Sequence, residues 1–156
     1  MLRLLLLVAS HAAMLGLGFV LGVYFLPILT APKSPATAEL QATAAKAQFK
    51  GRFDRKLKGS DLVHWGEGDV AILPDKVVHE GRLAPGPDYK LYLAPAFVDT
   101  KEGFLKIKDQ SRRIGDVKTF NGFIVEVPQG VDVADYTTAV VWCEAFSQFI
   151  SAAQYR

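Results

Sequence analysis

The sequence predicts an all-β domain, an antiparallel β-sandwich or barrel with a short C-terminal helix, preceded by one N-terminal transmembrane helix. Three observations carry that reading. From Leu4 to Leu29 the chain runs 26 residues without a charge. From Phe49 onward it breaks into short apolar-polar runs separated by turn residues, at the roughly 8–12-residue spacing of sandwiches and barrels rather than of βαβ units. Near the end, Phe146, Phe149, Ile150 and Ala153 recur at helical spacing, which predicts a closing helix over residues 145–153.

The apolar N-terminal segment is interrupted only by Ser10 and His11, and Ala12 to Leu29 alone would make a helix roughly 27 Å long, against a hydrocarbon core of about 30 Å. A signal peptide's apolar region is usually only about 7–15 residues. Length therefore favours an uncleaved signal-anchor over residues 1–29. Pro32, directly after Thr30-Ala31, hinders cleavage there, although Ala36-Thr37-Ala38 is an A-x-A site further on. Arg3 and the terminal amine stand against Lys33 and Lys46 across the segment, so the positive-inside rule is nearly balanced. A short positive head favours the cytoplasm for the N-terminus. The expected location is a single-pass cell-membrane protein with its domain on the extracytoplasmic side. Gly18-x-x-x-Gly22 fits a helix-dimer motif, but such matches are common by chance in apolar segments.

Residues 30–48 are rich in Ala, Thr and Pro and read as a linker. Pro32 and Pro35 bar a helix at its start, and residues 36–47 are able to form a frayed one. The domain is placed at 49–156. Its expected strands are 49–53, 69–73, 76–79, 90–93, 104–107, 122–127 and 138–142. Turn signals separate them, among them Lys58-Gly59-Ser60-Asp61, Pro74-Asp75, Ala84-Pro85-Gly86-Pro87-Asp88 and Pro128-Gln129-Gly130. About 108 residues suffice for one core without disulfides.

Charge narrows the function. The net charge of +2 resides before residue 49, where three basic residues face one acidic one, and the remainder carries 15 of each sign. A neutral domain lacks the footprint that phosphate backbones require, so no nucleic-acid partner is expected. One cysteine rules out a cysteine-rich zinc site, and neither His-Glu-x-x-His nor a Cys-x-x-Cys-His haem attachment is present. There is no Gly-x-Ser-x-Gly elbow, Gly-rich phosphate loop or prominent carboxylate pair, so enzymatic activity is not the expectation.

The lone Cys143 remains. An exported chain usually carries an even set of cysteines, and one thiol forms no intramolecular disulfide. It is an inert core residue, a reactive thiol, a ligand, or half of an intermolecular bond. Alternation places Val140 and Trp142 on one face and Val141 and Cys143 on the other, in a strand buried on both sides, with Trp142 a bulky shielding neighbour. Nothing cationic nearby lowers its pKa, and chemistry alone favours inert packing.

Residues from about Gly51 to Tyr155 resemble the DM-thirteen domain, an extracytoplasmic β-rich electron-transfer module. The resemblance rests on ordered segments: Gly51-Arg52-Phe53, His64-Trp65-Gly66-Glu67-Gly68-Asp69-Val70, Gly86-Pro87-Asp88-Tyr89-Lys90-Leu91-Tyr92-Leu93, Gly115, Val127-Pro128, and Tyr136 through Cys143 with Phe146. Asn121-Gly122-Phe123-Ile124-Val125 departs from the Gly-x-Gln-x-Tyr pattern usual before Val-Pro. The resemblance implies a redox role for Cys143, as a bare thiol or through a bound prosthetic group, with the cofactor open between haem and none. It carries over His64 as a cofactor-binding candidate. The expected partners are the membrane, through the N-terminal helix, and a redox or envelope protein. The competing expectation is an envelope binding or scaffolding module in which Cys143 only packs.

Overall fold

The computed structural model describes all 156 residues, Met1–Arg156. Eight strands form two four-stranded antiparallel sheets. The first is ordered β1-β2-β3-β6, from β1 (Phe49–Phe53), β2 (Gly66–Ile72), β3 (Lys76–Leu83) and β6 (Phe123–Glu126). The second is ordered β5-β4-β7-β8, from β5 (Arg112–Val117), β4 (Tyr89–Ala94), β7 (Thr138–Cys143) and β8 (Gln148–Gln154). They face each other as a sandwich. At its edges β1 approaches β8 and β5 approaches β6, yet no ladder joins the sheets, so they do not close into a barrel. The approach at one edge depends on Gly51, where a Cβ would stand 2.7 Å from the Gln154 carbonyl oxygen.

The inward faces meet in one apolar core that includes Phe53, Ile72, Val77, Leu91, Leu93 and Val141. The outer face of the second sheet carries a separate cluster of Tyr92, Val140, Trp142 and Phe149, covered by Phe104. All of β7 is therefore buried, its odd-numbered side chains toward the sandwich core and its even-numbered ones outward.

Three elements differ from the sequence expectation. The predicted C-terminal helix is instead β8. Its pairing with β7 shifts register between Val141 and Trp142, so Trp142 faces Phe149 while Val141 faces Ser151. The residue thereby inserted, Ile150, turns a period of two into spacings of three. Phe149 and Ala152 share the outer face, Ile150 and Ala153 the inner one, which imitates a helix. The strand expected at 104–107 is part of helix α3 (Lys101–Ile107). Thr100 caps it by accepting from the Gly103 N–H at 3.1 Å, with Glu102 in the first turn and Lys106 in the last, each favourable to the helix dipole. β5 was not expected at all. A bulge opposite Leu91 and Tyr92 leaves its buried residues, Ile114 and Val117, three apart.

Helix α1 (Leu2–Thr30) is 29 residues long, about 43 Å, has no buried residue and is apolar enough to cross a membrane. Between it and the sandwich, α2 (Thr37–Ala44) lies against the first sheet. Leu40 is buried on Ala71, Leu73 and Val78, and Gln41 Nε2 donates to Glu80 Oε1 at 2.8 Å. The linker region is thus docked on the domain at this point.

Candidate functional site

Three loops converge at one end of the sandwich: residues 54–65 after β1, residues 84–88 before β4, and the turn of residues 144–147 between β7 and β8. Each is held by a specific bond. The Asp61 carboxylate accepts from the Val63 and His64 N–H groups, both at 2.8 Å, and from the His64 ring at 2.8 Å. A carboxylate only accepts, so His64 Nδ1 carries the hydrogen of that bond and Nε2 is left free. Burial pushes the Asp61 carboxyl up, but these donors outweigh it and its pKa lies below the ordinary value. The Glu144 N–H donates to the Asp88 carbonyl at 3.0 Å, tying the 144–147 turn to the start of β4. That turn is tight enough to hold Ser147 at φ 47°, in the left-handed region.

Between these loops lies a cleft of about 190 Å3, lined by Cys143, Tyr89, His64, Val63, Phe146 and Ile150, together with the Pro85–Pro87 segment. Val20, Val23 and Tyr24 of α1 flank it. Cys143, the last residue of β7, sits at its base and is 2% exposed. Tyr89 is its register partner on β4. The Gly86-Pro87-Asp88-Tyr89 sequence has a steric reason here: a Cβ at Gly86 would collide with the Tyr89 ring and hydroxyl, so only glycine lets the loop fold over that ring.

Burial pushes the Cys143 thiol above its ordinary pKa, and the charges of Asp88 and Glu144 push the same way. The N–H groups of Phe146 and Ala145 in the following turn oppose them without prevailing. At neutral pH the group rests as a thiol. The Tyr89 hydroxyl is raised too, first by burial and then by the neighbouring sulfur.

The structure therefore brings His64 and Cys143 to one cleft, and it does not bring Trp142 there. The indole lies on the opposite face of β7, fully buried, 5.0 Å from the Phe104 ring, with its Nε1 unpartnered. Around it the Glu144 carboxylate accepts from the Tyr92 hydroxyl and from Lys108 Nζ at 2.7 Å. Sequence reasoning did not select Tyr89, Asp61, Val63 or Phe146 as site residues. The signals present were the Gly-Pro-Asp-Tyr motif and an Asp three residues before a His.

The haem alternative can be tested on this geometry. Small-molecule sites usually enclose about 300–1,000 Å3, and the cleft is smaller, with its sulfur nearly covered. Haem does not fit it. No three side chains among His, Cys, Asp and Glu converge as a metal-ligand set.

Residues 52–155 match the family model described as "Electron transfer DM13". No curated protein and no solved structure matches the chain.

Proposed function

Since the chain belongs to the electron transfer DM13 family, we propose that it is a membrane-anchored electron-transfer domain on the extracytoplasmic side, with the Cys143 thiol as its redox group. The observation that carries this reading is the position of the sulfur at the end of the sandwich core, where it also lines a cleft walled by three loops. Arg3 and the amino terminus stay on the cytoplasmic side and α1 holds the domain to the opposite surface.

The chemistry suited to a lone thiol is exchange with a disulfide carried by a partner. Cys143 gives up its proton and its sulfur bonds to one partner sulfur. The partner S–S bond breaks, and the leaving sulfur departs as a thiolate that takes up a proton. Two electrons pass to the leaving sulfur, and Cys143 is left in a mixed disulfide. His64 Nε2, free while Nδ1 is held by Asp61, lines the same cleft and is the base assigned to take the proton. The raised thiol pKa makes the resting group slow to react. Incubation of the intact protein with glutathione disulfide tests this. The expected product is a single glutathione adduct on Cys143, reversed by dithiothreitol. An unmodified protein after prolonged incubation would remove the thiol reading.

A second reading has one observation behind it: a sulfur only 2% exposed packs like any small apolar group. On that reading the domain is an envelope binding or scaffolding module, and Cys143→Ser changes stability alone.

A further inference from the structure

The rim of the cleft is apolar where a soluble domain would be polar. Leu62 is 95% exposed, Val63 50% and Phe146 51%, and they belong to two loops at the same end of the sandwich. Three of the longer loop's five charged groups are engaged within the domain, leaving Asp54 and Lys56 exposed. Asp61 holds His64, the Arg55 guanidinium stacks 3.6 Å over the Trp65 ring, and Lys58 pairs with Asp99 at 3.3 Å.

The position of α1 indicates what covers this rim. A helix crosses about 30 Å of hydrocarbon in roughly 20 residues. Counted from Leu4, just after Arg3, that length ends near Val23. Tyr24 and Phe25 then fall at the membrane–water boundary, where aromatic side chains concentrate. Val20, Val23 and Tyr24 flank the same cleft as Val63 and Phe146, and Phe19 borders a second hollow with His64 and Phe146. The rim lies beside the last turn of α1 within the bilayer and the aromatic boundary that follows it.

We propose that Leu62, Val63 and Phe146 seat in the lipid interface beside α1, so that the Cys143 cleft opens onto the membrane surface and not onto bulk water. The seating is independent of what the thiol does. If the thiol exchanges, its partner is reached at the bilayer surface.

The test uses the full chain in phosphatidylcholine vesicles containing a minor share of phosphatidylcholine with a diazirine in the upper acyl chain. After illumination, adducts are mapped by peptide mass spectrometry. The expected adducts fall on α1 and on the peptides carrying Leu62-Val63 and Phe146. The combined Leu62→Glu, Val63→Glu and Phe146→Glu variant, altered only at exposed positions, loses the loop adducts several-fold and keeps those on α1. Cys143→Ser keeps both sets whether or not the thiol is a redox group. Adducts confined to α1, adducts absent from α1 as well, or loop adducts undiminished in the triple variant each overturn the proposal.

Discussion

Tyr89 and Cys143 stand directly opposite each other across the β4–β7 ladder, and both line the cleft at the end of the sandwich. The phenol therefore forms a wall beside the sulfur, and what holds the phenol also shapes access to the thiol. Gly86 folds over that ring at a distance no side chain tolerates.

Gly86→Ala should consequently overpack this site, at a cost of about 1–3 kcal/mol in the urea unfolding free energy. It should also accelerate maleimide labelling of the folded protein, because the displaced ring no longer closes over Cys143. An unchanged unfolding midpoint with unchanged labelling would show that the loop yields without moving Tyr89.

Cys143→Ser places a hydroxyl among Ile150, Val141 and Tyr89 in the sandwich core. The Phe146 and Ala145 N–H groups face its oxygen, but these apolar neighbours offer its O–H no acceptor, so the change should cost on the order of 1–3 kcal/mol. Urea denaturation of the wild type and the variant measures it. A neutral substitution would mean that the residue is more solvated than its burial implies.

His79 makes the domain acid-sensitive. It is fully buried between the Phe53 and Phe123 rings, both at 5.0 Å, with Nε2 donating to the Glu67 carbonyl at 3.0 Å and Nδ1 unpartnered. Burial lowers its pKa to about 4 from the ordinary 6.5, while the Glu67 bond and the Asp69 charge oppose that shift only in part. The neutral form is thus the folded form, and the unfolded chain binds the proton first. Stability from this group is complete above pH 6.5 and is lost as pH falls toward 4, by about 3 kcal/mol in all. Urea unfolding at pH 7 and pH 5 should differ by about 2 kcal/mol, and His79→Gln should flatten that interval. The depressed carboxyls of Asp61, Glu144 and Asp116 act in a lower window, below their ordinary values of 3.8, 4.5 and 3.8.

Glu144 links the turn after Cys143 to the outer cluster, accepting from Tyr92 and Lys108. Burial pushes its carboxyl up, yet the Lys108 and Tyr92 bonds bring the net value below the ordinary one. Glu144→Ala leaves the Tyr92 hydroxyl without its acceptor and should cost about 1–3 kcal/mol. Glu144→Gln restores an acceptor and should recover most of it. The nearby Trp142 gives a fluorescence readout, and equal losses in both variants would show that charge, not hydrogen bonding, governs the site.

Much of this architecture is legible in the sequence because strands that keep strict alternation announce themselves. β1 coincides with its expected range, and β2, β3, β4, β6 and β7 overlap theirs. Two of the three failures share a cause. In β5 and β8 a bulge inserts one residue, so Ile114 and Val117, or Ile150 and Ala153, lie three apart and the period of two disappears. The 104–107 segment reads as strand by its apolar residues alone, although Thr100 and Glu102 mark a helix start upstream. At the site, the burial of Cys143 and its separation from Trp142 follow from alternation along β7. Its meeting with His64 and Tyr89 depends on three loops brought together by tertiary structure, which local patterns do not encode.

The central claim is that the Cys143 sulfur can be reached from the cleft without unfolding the domain. Because the chain holds one cysteine, labelling by a small maleimide reports that site alone. The measurement is the labelling rate of the folded full chain at rising urea concentrations below the unfolding transition. Reactivity through the cleft predicts a slow but finite rate in the absence of urea that stays nearly constant until the transition. A rate that vanishes without urea and rises in proportion to the unfolded fraction would contradict it, leaving Cys143 a packing residue.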